Sequence, residues 1–144
     1  MIIEHPWSIV DIRPDENRVI KRYIRKDYFR CFDREVYWLR TLGPTGFTPE
    51  YVNSNRANYE IIMTYRGRKI LSSMIPLDWK VQVEQLFEAL QNHKCFLKGL
   101  FASNIVVQDG RLGIVDLAMC TRSRSEGKQK FIQLIELELA KNEH

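Results

Sequence analysis

Ser103-Asn104-Ile105-Val106-Val107-Gln108-Asp109-Gly110-Arg111-Leu112-Gly113-Ile114-Val115-Asp116 reads as a β-hairpin with a polar residue near each end. Asn104 to Gln108 and Arg111 to Val115 are the two apolar, β-rich arms. Asp109-Gly110 between them is the kind of step that accepts the positive φ values of a tight hairpin turn. The arms are antiparallel neighbours, so Asn104 and Asp116 are expected to lie near each other. Asp116 directly follows Leu112-Gly113-Ile114-Val115. Its carboxylate is therefore expected to be near-buried and in need of partners.

Upstream, the chain alternates strand and helix signals. Ser8 to Ile12 and Arg18 to Arg25 read as strands around a turn at Arg13-Pro14-Asp15-Glu16-Asn17. Val19, Lys21 and Tyr23 share one face, and Ile20, Arg22 and Ile24 the other. A helix is expected over about Asp33 to Leu42, with Asp33 as its N-cap and Phe32, Val36 and Leu39 at helical spacing. Gly43-Pro44 ends it. Glu50 to Val52 and Tyr59 to Tyr65 read as strands joined by the polar loop Asn53 to Asn58. Arg66-Gly67-Arg68 breaks the pattern. A second helix spans about Leu77 to His93, with Val83, Leu86, Phe87 and Leu90 on one face. Downstream of the hairpin, a third covers about Ser125 to Ala140, faced by Phe131, Leu134, Ile135 and Glu138. Strands and helices are partly segregated, which predicts the α+β class.

The chain has 144 residues, 44% apolar and 28% charged, with 22 basic against 18 acidic side chains and a net charge of +4. This suits one globular domain with a real core and excludes a long disordered chain. No window approaches the roughly 18 consecutive apolar residues of a spanning helix, so no transmembrane segment is expected. Met1-Ile2-Ile3-Glu4-His5-Pro6 lacks a basic region followed by an apolar core, so no secretory signal is expected. Cys31, Cys95 and Cys120 are odd in number and form no CxxC, and His5, His93 and His144 do not repeat at ligand spacing. Neither a zinc site nor a disulfide framework is expected. Free, partly buried thiols point to a cytoplasmic protein.

Four residues then stand out together. Lys21 lies on a strand in Val19-Ile20-Lys21, and Glu35 lies on the helix that follows. Asn104 and Asp116 flank the hairpin. With Met63-Thr64-Tyr65-Arg66-Gly67 and Thr48-Pro49-Glu50-Tyr51-Val52, they make the chain resemble the protein-kinase-like fold over roughly Arg18 to Met119. It is most similar to the small bacterial lipopolysaccharide core sugar kinases. The resemblance implies that Lys21 grips nucleotide phosphates and that Glu35 is its ion-pair partner. It makes Lys21, Glu35 and Asp116 the catalytic set and places Met63 and Tyr65 at the nucleotide. Asn104 and Asp116 become the metal ligands. The cofactors implied are ATP and Mg2+, and the acceptor is a sugar or lipopolysaccharide-type hydroxyl. The fold implied is a minimal one. Residues 1–65 form an antiparallel N-lobe sheet with one helix, and 66–144 a reduced C-lobe with the catalytic hairpin and two helices, together one domain over 1–144.

The chemistry agrees with that set. Phosphoryl transfer gathers negative charge that a cation and a fixed ammonium must neutralise. Magnesium takes oxygen ligands, which Asn104 and Asp116 offer. Taken singly, each residue also has an ordinary reading. Lys21 is then a solvated strand lysine, Glu35 a helix-surface carboxylate, Asn104 the start of a turn and Asp116 a loop cap.

The sequence departs from the kinase pattern in three places. The catalytic-loop Asp is expected five residues before Asn104, and Gly99 stands there. Glycine cannot deprotonate a hydroxyl, which leaves Lys98 as the nearest side chain able to serve the phosphate. No Gly-rich loop precedes Lys21, so the phosphate-covering hairpin is expected to be reduced or absent. The stretch from Asp116 to His144 is too short for the usual substrate platform. A partner chain that supplies the missing elements fits these gaps. So does an alternative function, a catalytically inactive pseudokinase acting as a binding or regulatory module. A further alternative, the least favoured, is nucleic-acid binding. It would use Lys21, Arg22, Arg25, Lys26, Arg30 and Arg34 with Tyr23, Tyr28 and Phe29 interleaved, plus Arg122, Arg124, Lys128 and Lys130.

Overall fold

In a computed structural model, which describes residues 1–122 and 127–141, the chain divides into two compact units, Met1–Tyr65 and Arg66–His144. In the first, β1 (Ile2–Glu4), β2 (Ser8–Arg13), β3 (Arg18–Tyr23), β4 (Tyr51–Asn55) and β5 (Glu60–Met63) form an antiparallel sheet in the order β1-β2-β3-β5-β4. Helix α1 (Phe29–Leu42) is the unit's only α-helix among the described residues.

Register fixes which side chains share a face. Ser8, Val10 and Ile12 pair with Tyr23, Lys21 and Val19, while Ile61 and Met63 pair with Lys21 and Val19 on the other side. Cross-strand partners point the same way. One face of the sheet therefore carries all of them, and Lys21 and Tyr23 on it meet Glu35 of α1. The buried side of α1 is Phe32, Glu35, Trp38, Leu39 and Leu42, a helical stripe with one carboxylate in it.

Local signals misplace some boundaries. Helix α1 starts at Phe29, four residues before Asp33, and Asp33 is not its N-cap. A 3-10 turn at Lys26–Tyr28 leads into the helix, and Phe29 stacks on Tyr59 with ring centroids 3.6 Å apart. Asp33 instead forms an ion pair with Arg56. Strand β4 continues through Asn53-Ser54-Asn55, which read as loop, because these residues pair with Ile62, Ile61 and Glu60 after a register shift. A hairpin does precede the β2–β3 pair: β1 and β2 are joined by His5-Pro6-Trp7, without glycine. Its turn closes through His5 N–H to Ser8 O at 2.8 Å, and Trp7 stacks on His5 and on Tyr28.

The second unit holds β6 (Arg68–Lys69), α2 (Trp79–Asn92), β7 (Phe96–Leu97), β8 (Ile105–Gln108), β9 (Arg111–Ile114), β10 (Cys120–Thr121) and α3 (Gly127–Ala140). Strands β6-β8-β9 form one sheet and β7 pairs with β10. The turn of the β8–β9 hairpin has φ of 51° at Asp109 and 74° at Gly110, as a two-residue connection with matching twist requires. The hairpin is buried on both faces: Ile105, Val107, Leu112 and Ile114 on one, Val106 and Gly113 on the other.

Trp79, Val83, Leu86 and Leu90 form the buried stripe of α2. Phe87 meets Phe131 of α3 edge-on at 5.5 Å, and Phe131 and Ile135 are fully buried. Ser125 and Glu126, expected to open the tail helix, lie outside the described residues. Leu86 is completely buried, so Leu86→Ala is expected to cost about 2–5 kcal/mol in urea unfolding. A near-zero loss would show that this face of α2 is not core. The three cysteines are free, with Cys95 and Cys120 buried and Cys31 half-buried. Among the described residues no helix is long and apolar enough to cross a membrane.

Candidate functional site

The first unit concentrates its buried polar groups at one point. Lys21 is 7% and Glu35 1% exposed, and Lys21 Nζ lies 2.9 Å from Glu35 Oε1. The same carboxylate oxygen accepts the Tyr23 hydroxyl at 2.7 Å. Strand periodicity explains the convergence, because residues 21 and 23 leave β3 on one face. Buried charges need such pairing. The sequence already places Tyr23 on the Lys21 face of its strand, but gives it no part in the site. What the spacing of two does not show is the carboxylate that both side chains reach, Glu35 on α1.

Met63 ends β5 and is buried. Tyr65 is half-buried, and its backbone N–H already donates to Asn17 Oδ1 at 3.1 Å. Asn17, at φ 52°, closes the turn between β2 and β3. A nucleobase reading backbone groups at Tyr65 would therefore find its donor engaged.

In the second unit the hairpin brings its two ends together. Beyond the last β8–β9 pair, Val115 N–H donates to Asn104 O at 2.9 Å, so the ladder runs one step further and Asp116 follows directly. Asn104 is buried and locked in a turn: its N–H donates to Phe101 O at 2.9 Å and its Oδ1 accepts from Phe101 N–H at 2.8 Å. Asp116 is half-buried and left-handed, with φ 65° and ψ 66°. For a non-glycine residue that conformation is uncommon and turns the chain sharply.

Two side chains that sequence reasoning did not single out hold the hairpin. Gln82 of α2 donates to Gly110 O at 2.9 Å and accepts from Leu112 N–H at 2.8 Å. Arg66 donates to Leu112 O at 2.8 Å. Burial and the nearby Arg111 push the Arg66 pKa down, and Asp109 opposes them. No local pattern marks such side-chain-to-backbone bonds between residues 28 to 46 apart.

The donor set suits a hard cation. Asn104 Oδ1 keeps a second lone pair beside its bond to Phe101, and Asp116 adds a carboxylate. Magnesium is commonly held by one or two protein oxygens together with phosphate oxygens. Among the described residues no three His, Cys, Asp or Glu side chains gather as a metal-binding group. Gly99, at φ +68°, is exposed, and nothing lies within 4 Å of where its Cβ would be.

The basic stretch at residues 21–34 does not form one exposed face. Lys21 and Tyr23 are in the buried site, Phe29 stacks on Tyr59, and Arg25 pairs with Asp27 at 3.1 Å. In the second cluster, Lys128 pairs with Glu84 at 2.6 Å, and Arg124 lies outside the described residues.

No protein-family model and no curated protein matches the chain. Solved structures do match. A medium-resolution structure of the bifunctional kinase-methyltransferase WbdD aligns with TM-score 0.64 and 15% identity over 94% of this chain and 34% of that one. A 2.2 Å crystal structure of WbdD gives 0.63 and 14%, over 99% and 37%. The chain thus spans about a third of the length of these proteins. The likeness extends across both units, whose sheet, helices and hairpin are those described above. The chain has a minimal protein-kinase-like fold of the α+β class.

Proposed function

We propose that this chain is an ATP- and magnesium-binding kinase-like phosphotransferase whose acceptor is a sugar or lipopolysaccharide-type hydroxyl. The observation that carries the reading is the buried Lys21–Glu35 pair, a charged contact too costly to bury as ordinary surface decoration. Met1–Tyr65 and Arg66–His144 are then the N-lobe and reduced C-lobe of one domain. Lys21 presents its ammonium to nucleotide phosphates, with Glu35 fixing its position. Met63 and Tyr65 border the base. Asn104 and Asp116 ligate magnesium through their oxygens, held in register by the β8–β9 ladder. The metal, when bound, neutralises charge on the phosphate oxygens. The likeness to a kinase-methyltransferase and the three free thiols support a nucleotide substrate and a cytoplasmic setting.

A second reading is a nucleotide-binding module without turnover, completed or used by a protein partner. Gly99 favours it, since no side chain at that position can take the acceptor proton. The two readings part in one experiment. MgATP at a hundredfold excess over its Kd is expected to add about 2.7 kcal/mol of stability, read as a rise in Tm. Asp116→Ala is expected to remove the magnesium-dependent part of that rise while the protein stays folded. Turnover of ATP with a sugar acceptor would establish the phosphotransferase, and stabilisation without turnover the module. No stabilisation by MgATP in the wild type would sink both.

A further inference from the structure

Glu35 Oε1 is shared. It receives Lys21 Nζ at 2.9 Å and the Tyr23 hydroxyl at 2.7 Å, and Tyr23 is 3% exposed. The Lys21 ammonium also lies 5.0 Å from the centre of the Tyr23 ring, within reach of a cation–π attraction. A lysine–glutamate contact alone is one flexible tether between a strand and a helix. The phenol adds a second tether from the same strand to the same oxygen. It is neutral and short, and burial leaves its ring no room to swing. The start of α1 is held as well. Phe29 and Phe32 pack on Tyr59, and Tyr28 stacks on Trp7. The helix is therefore fixed at its entry by rings and at its middle by a bifurcated carboxylate.

We propose that Tyr23 is a positioning residue that keeps the Lys21–Glu35 pair assembled before any nucleotide binds. Helix α1 then does not act as a switch, and ligand meets a lysine already in place. This rests on the phosphotransferase reading for its purpose, but the tether itself is testable without nucleotide. Tyr23→Phe keeps the ring and removes only the hydroxyl. In the nucleotide-free variant, acetylation of Lys21 by acetic anhydride, followed by mass spectrometry, is expected to run about tenfold faster than in the wild type, the scale of one hydrogen bond to a charged group. MgATP affinity is expected to fall by a similar factor. An unchanged Lys21 rate in the folded variant would overturn the proposal even if Tm fell, because the hydroxyl would then serve stability alone.

Should Tyr23→Phe not fold, amide hydrogen exchange on the free wild-type protein decides. Exchange of the α1 amides only through global unfolding supports the tether, and independent local opening of α1 overturns it. A wild type that ignores MgATP would remove the phosphotransferase reading, while the Lys21 rates would still settle the tether.

Discussion

Glu35→Ala is expected to lower the unfolding free energy by about 3–5 kcal/mol, the scale for deleting one partner of a buried ion pair. The carboxylate is 1% exposed. Its removal takes from Lys21 a counter-charge at 2.9 Å and from Tyr23 an acceptor at 2.7 Å. Both groups remain in a setting where water does not easily replace what is lost. Glu35→Gln should lose less, because the amide oxygen can still accept from Tyr23. Urea titrations of the three proteins give the comparison. A loss below about 1 kcal/mol for Glu35→Ala, the size seen for exposed pairs, would mean the pair is solvated and not structural.

The second large effect is expected at Gly67. Its φ of +128° is a conformation that side chains rarely adopt. A Cβ there would lie 2.5 Å from Val107 O and 2.8 Å from Val107 C. Those atoms belong to the backbone of β8 and cannot turn aside as a side chain could. Gly67→Ala must therefore push β6 off β8 or distort the strand that leads back to Asn104. A loss of about 2 kcal/mol or more is expected. Gly99→Ala is the control, since φ there is also positive but the space is open. It should lose about 1 kcal/mol, the backbone component alone. Equal losses at the two sites would show that the contact with Val107 relaxes freely.

The elements with a full repeat of their pattern were legible in the sequence. Asp109-Gly110 between two apolar runs named the hairpin, and Val83, Leu86 and Leu90 named the inner face of α2. The two-residue strands β6, β7 and β10 hold one period of alternation at most, so no pattern could announce them. Asp33 looked like a helix cap because its residue type favours caps. The aromatic pairing of Phe29 with Tyr59, a tertiary contact, set the start of α1 instead. Of the candidate site, Lys21, Glu35, Asn104 and Asp116 stood out in the sequence through family likeness. Their supports Tyr23, Gln82 and Arg66 did not, because each acts through a partner distant in the chain. The engaged N–H of Tyr65 was equally hidden, since it depends on a turn 48 residues away.

Strand β9 is one of the two outer strands of its sheet. Such edges are where a second molecule can add a strand and begin uncontrolled assembly. At Leu112 that route is closed. Gln82 occupies the N–H and Arg66 the carbonyl, both at 2.8 Å. An incoming chain would have to break two side-chain bonds before gaining its own. The groups that steady the hairpin thus also occupy this point of the edge against an incoming strand.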